Sequence, residues 1–127
     1  MSVTPARVPL DFFQSIQRQD VLKTWETLSR RSRSVIVRLL AQQLPYDTIS
    51  SLEKAFAEGK EPALTYWKNF REATDLDQWI QQQYQAMAEA GGEVLVKCAP
   101  SNIHLRVFKE DNQWKFGYIE TFMDGNL

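Results

Sequence analysis

The hydrophobic period of this chain changes once, at Gly91-Gly92, and that change limits the fold more than any other feature. Before the glycine pair, apolar residues recur at three- and four-residue spacing; after it, they recur at every second residue. A chain divided in this way folds as helices packed on an antiparallel sheet, an α+β arrangement. The expectation is about six N-terminal helices on one face of a C-terminal three- or four-stranded antiparallel meander. All 127 residues form one domain, with a helical part over 5–91 and a sheet over 93–123.

The helices are punctuated by their own caps. Pro9, whose missing N–H costs nothing in a first turn, opens a helix carrying Leu10, Phe13 and Ile16. Asp20 caps a second with Val21, Trp25 and Leu28. A third starts near Ser29 or Ser32, carries Ile36, Leu39, Leu40 and Gln43 on one face, and ends before Pro45. Asp47 or Thr48 caps a fourth with Ile49, Leu52 and Phe56, closed by Gly59. Pro62 begins a fifth with Ala63, Tyr66, Trp67 and Phe70. Thr74 or Asp75 caps a sixth, with Leu76, Trp79, Ile80, Tyr84 and Met87 facing inward until the glycine pair ends it.

Three strands follow, over 93–99, 102–109 and 113–122. Asp111-Asn112 suits a two-residue hairpin turn, which sets Val107 against Phe116 and Leu105 against Tyr118. A turn over 99–102 sets Cys98 against Ile103 and Val96 against Leu105. The two registers agree. They place Val94, Val96, Cys98, Ile103, Leu105, Val107, Trp114, Phe116 and Tyr118 on one face, which must lie under the helices. Cys98 is read as an inert packed thiol. The opposite face mixes Glu93, Leu95, Lys97, His104, Arg106, Phe108, Lys115, Gly117, Ile119 and Thr121, a composition that suits a partner.

Composition excludes several classes. No apolar run of about 18 residues exists to span a membrane, and the start, MSVTPARVPLDFF, has no apolar signal core. One cysteine cannot form an internal disulfide, which fits a reducing compartment, so a cytoplasmic location is expected. Charge is uneven: residues 1–45 hold seven Lys/Arg against three Asp/Glu (+4), and residues 46–92 hold four against eight (−4). That asymmetry is too small to imply nucleic-acid binding.

The helical part followed by a curled meander resembles the nuclear transport factor two-like superfamily, with its cystatin-like cone and SnoaL/ketosteroid isomerase-like branches. The resemblance lies in "FFQSIQRQDVLKTWETLSRRSR", residues 12–33, and "VFKEDNQWKFGYIETF", residues 107–122, about a third of the chain. It is closest to small bacterial members. It implies a conical sheet around a cavity and a first strand between helices. Either that strand lies in 44–62, or the fold is a helix-rich α+β variant.

Candidate sites follow from these placements. His104, the single histidine, lacks a second ligand or a neighbouring acid for metal or base chemistry, and the register puts it on the outer face beside Lys97. His104, Arg106, Phe108 and Ile119 are therefore interface candidates for a non-catalytic module that forms a homodimer or docks a protein partner. The resemblance suggests an alternative: a small pocket enzyme, isomerase- or hydrolase-like, or a binder of a small apolar ligand. Glu120 and Tyr118, by parity on the inner face, would then lie at the mouth of the cone. Arg30, Arg31, Arg33 and Arg38 form a basic group at a helix start, where cations oppose the dipole; pairing with Glu26 or the acidic helices would explain them. No catalytic residue, metal site or cofactor is assigned, since phosphate loops, nucleophile triads and paired ligands are lacking.

Overall fold

The computed structural model describes residues 4–123. Seven helices, most of them N-terminal, pack against a curled four-stranded antiparallel sheet, a half-barrel. In chain order the helices are α1 (Arg7–Gln17), α2 (Val21–Thr27), α3 (Arg30–Gln43), α4 (Ile49–Glu58), α5 (Ala63–Ala73) and α6 (Leu76–Gln81). The sheet follows as β1 (Gln83–Ala86), β2 (Glu93–Ala99), β3 (His104–Glu110) and β4 (Gln113–Gly117), and α7 (Tyr118–Phe122) ends it. No described helix is long and apolar enough to cross a membrane.

Side-chain oxygens start the helices where the sequence places them. Asp20, Ser29, Thr48 and Asp75 each accept a backbone N–H three residues on, and Thr48 with Ser51 completes a capping box. Gly59 closes α4 in the left-handed region, φ 68°. The buried stripes of α3 and α4 differ from the expected ones, and Gln43 is exposed. Val37, not Leu39, joins Ile36 in the core, while Leu39 and Ile49 stay exposed.

The strand registers are those expected. Val107 pairs with Phe116 and Val96 with Leu105, and Asp111 and Asn112 both take positive φ in the hairpin turn. Val94, Val96, Cys98, Leu105, Val107 and Phe116 are buried against the helices, but Ile103, expected among them, precedes β3 and is exposed. Two corrections concern the ends of the sheet. The fourth strand is not in 44–62 but at β1, inside the stretch read as the last turns of a sixth helix, so Met87 is exposed. The last strand stops at Gly117, and Tyr118 begins α7 and has no strand partner. The first described strand thus follows the sixth helix and does not interrupt the helices.

Phe12 of α1 is the hub of the core. Its ring lies 5.2–6.1 Å from those of Phe13, Trp67, Phe70, Phe116 and Tyr118, mostly edge-on. Each such aromatic pair contributes about 0.5–1.5 kcal/mol beyond its buried area. Trp25 stacks on Phe56 at 4.5 Å, and Phe13 on Trp79 at 5.0 Å. This aromatic layer joins the helices to the last strand and α7 through Phe116, Tyr118 and Phe122.

Candidate functional site

Among the described residues no helix layer covers the outer face of the sheet, and its side chains come from alternate residues of β1–β4. Across one row, Met87 donates its N–H to the Leu95 carbonyl at 2.8 Å, and Leu95 pairs with Arg106. Met87 is 48% and Leu95 40% exposed. Two apolar side chains therefore sit side by side in solvent on an open sheet face, from its edge at Met87 to Leu95 of β2.

Beside them Arg106 is held on three sides. Its guanidinium donates to both oxygens of Glu93, at 2.7 and 3.4 Å, and lies 5.1 Å over the Phe108 ring. Its backbone N–H, which a longer β4 would have received, donates to Thr121 Oγ1 at 2.8 Å. The pairing with Glu93 raises the Arg106 pKa. Phe108 in turn covers Gly117, where a Cβ would meet its ring at 2.4 Å. Glycine is required there by this close approach. Part of the reason Phe108 stands on the outer face is thus internal: it seals the point where β4 becomes α7.

His104 is exposed and directly opposite Lys97, as expected, and Lys97 gives the far corner of this face a positive charge. Ile119 is not on the face at all. It is 4% exposed in α7, and its assignment to the interface is corrected: the strand ends two residues before it.

Glu120 lies away from this face, buried. Its carboxylate accepts from Ser29 Oγ and Ser32 Oγ, both at 2.7 Å, and Ser32 Oγ also accepts the Ile119 N–H at 3.1 Å. Each hydroxyl has one proton, and with the carboxylate ionised both protons go to it. Ser29, Ser32 and Glu120 are 1%, 0% and 5% exposed, which removes the cluster from contact with a substrate in this conformation. It fastens α7 to the start of α3. Tyr118, two residues earlier, points about 200° around the helix, into the rings of Phe12, Phe70, Phe116 and Phe122. Burial raises its pKa. The two pocket candidates therefore do not converge, because strand parity does not carry over to a helix.

Ser29 and Ser32 were not among the sequence candidates. Their signal was their place: Ser32 lies one turn before Ile36 on the buried stripe of α3, and a hydroxyl in a core position needs a partner.

The basic group resolves into separate tasks. Arg33 Nε donates to the Trp25 carbonyl at 2.9 Å and its Nη2 to that of Glu26 at 3.0 Å, capping the C-terminus of α2. Lys115 Nζ adds a third bond to the Glu26 carbonyl at 2.6 Å. Glu26 thus takes these cations through its backbone. Burial lowers the pKa of both Arg33 and Lys115. Arg30 pairs with Asp111, and its N–H donates to Glu110 at 3.1 Å. With Glu120, that makes three carboxylates at the start of α3, offsetting both the dipole and the arginines.

A half-open polar cleft of about 140 Å³ lies between α1 and α2, lined by Asp11, Gln14, Ser15, Arg18, Asp20 and Lys23. The buried Ser15 is hydrogen-bonded to Thr24 at 2.7 Å, and the cleft mixes both charge signs. Comparisons of the chain with protein-family models, with curated proteins and with solved structures returned no match.

Proposed function

We propose that this chain is a non-catalytic interaction module that docks a protein partner on the outer face of its sheet. The observation that carries the reading is the exposed Met87–Leu95 pair on a sheet face without a covering layer. Around it, Arg106 and Phe108 supply the residue types enriched where interfaces hold most of their energy. Lys97 adds a cation beside them, so the partner surface is apolar where it meets Met87 and Leu95 and acidic next to them. The resemblance to the nuclear transport factor two-like superfamily belongs to this proposal, supported by the curled antiparallel sheet closing over the N-terminal helices. No observation favours the alternative of a pocket enzyme.

The test is chemical cross-linking in cells through Lys97, comparing the natural chain with Leu95→Asp. Leu95 is on the open face, so the variant keeps the core and its melting temperature. A partner joined at Lys97 in the natural chain and lost in Leu95→Asp supports the reading. Equal capture by both chains would falsify it.

A further inference from the structure

The hydrogen-bond phase of the first hairpin decides which backbone groups of β1 face away from the sheet. Met87–Leu95 is a hydrogen-bonded pair, so Gln85–Lys97 and Gln83–Ala99, at two-residue steps, are too. Cys98 agrees, sending its N–H to Ile103 on the β3 side at 2.9 Å. Tyr84 and Ala86 therefore turn their N–H and C=O groups off the free side of β1, the outer edge in the order β1-β2-β3-β4. Among the described residues nothing takes these four groups.

The two edges of the sheet are treated differently. At β4 the chain closes its own edge: Ser29 donates its N–H to the Phe116 carbonyl at 2.9 Å, Leu28 bridges Phe116, and Thr121 takes the Arg106 N–H. Edges left open are ordinarily protected by charges or proline. From Gln78 to Ala88 this chain has neither.

We propose that a second copy of this chain pairs antiparallel along β1, with Gln85 on the twofold axis. In that register Tyr84 exchanges both backbone bonds with the partner's Ala86, and Ala86 with the partner's Tyr84. All four free groups on each strand are satisfied, and no charged residue within the strand meets a like charge. Self-complementarity of an uncharged edge selects a second copy as the occupant. The bulge that sets Ala88 and Glu89 against Val94 ends the pairing on one side, and α6 ends it on the other. The result is one continuous eight-stranded sheet with both outer faces on the same side. This inference does not depend on the outer-face reading, because Leu95→Asp leaves the β1 edge intact.

Light scattering on size-exclusion fractions, over a concentration series, reads the outcome. The natural chain is expected at twice its 14.8 kDa mass. Gln85→Lys puts two cations together at the axis, and Ala86→Pro removes an N–H that the monomer does not use; both are expected at single-chain mass with an unchanged circular dichroism spectrum. Mixing Gln85→Lys with a tagged Gln85→Glu chain is expected to restore the double mass as a mixed pair. A natural chain of single mass at every concentration overturns the proposal. So does either variant retaining the double mass, or a mixture that fails to pair.

Discussion

Glu120 shows how one residue can be placed correctly for the wrong reason. Alternation put it on the inner face of a strand, and it is buried, but on a helix and against serines from a segment about ninety positions earlier in the chain. Nothing in the local pattern YIETF distinguishes five residues of helix from five of strand, since its apolar residues fit both periods. The partners do. Two hydroxyls and a carboxylate form a closed set, so truncation removes both charged acceptor bonds and leaves the Ser32 hydroxyl without its acceptor, while Ser29 keeps Ser32 Oγ at 3.0 Å. Hydrogen bonds to an ionised group are each worth about 1.5–3 kcal/mol, and Glu120→Ala is expected to cost about 3 kcal/mol in urea unfolding. Glu120→Gln keeps the volume and one acceptor, and is expected to lose about 1 kcal/mol. An alanine variant no less stable than the glutamine one would show that the cluster carries no tension-bearing bonds.

Elements were legible where their ends are written in local chemistry. Asp20, Ser29, Thr48 and Gly59 mark helix ends whatever lies around them, and Asp111-Asn112 marks its turn. β1 was not legible, because QQQYQA is rich in good helix formers and Tyr84 stands at helical spacing from Ile80. What makes it a strand is pairing with β2, together with the Tyr84 hydroxyl donating to the Trp79 carbonyl at the end of α6. Both are tertiary facts. The basic group shows the same limit: from sequence it stands at the unfavourable end of α3, yet Arg33 acts at the favourable end of α2. Arg33→Ala is expected to lower stability by about 1.5 kcal/mol, through two lost carbonyl bonds and the packing over Trp25. Arg33→Lys, lacking the fork, is expected to recover less than half of that, and Arg38→Ala to leave the urea midpoint unchanged. Equal effects of the Arg33 and Arg38 variants would return the group to a general charge role.

At the scale of the molecule, the joint between α2 and α3 is sewn to the last hairpin. Ser29 to Phe116, Arg30 to Glu110 and Asp111, Lys115 to Glu26, and Glu120 to both serines all cross between the two ends of the sequence. Neither half has a complete core, so the acids buried between them report on the whole fold. Burial pushes the Cys98 thiol from 9.0 up to about 11 and the Tyr66 hydroxyl from 10.0 up to about 12, and it raises Tyr84 and Tyr118 as well. Each is an acid that ionises more readily unfolded than folded. The unfolded chain therefore binds fewer protons at high pH, and stability falls as pH rises. Lys115 and Arg33 act with the opposite sign, their folded pKa values being lowered by burial, but they are two groups against a thiol and three phenols, and Arg33 titrates above the range considered. The contribution is complete below about pH 7.5, a unit or more under the unfolded thiol's value, where that thiol is still protonated. It is lost first through Cys98, between its unfolded value and about 11, and then through the tyrosines above 10. Melting temperature is thus expected to be level from neutral pH to the onset of thiol ionisation, and to fall with growing steepness beyond it. Cys98→Val is expected to delay the onset and keep the steeper tyrosine limb. An onset that does not move would place the first alkaline loss outside the sheet.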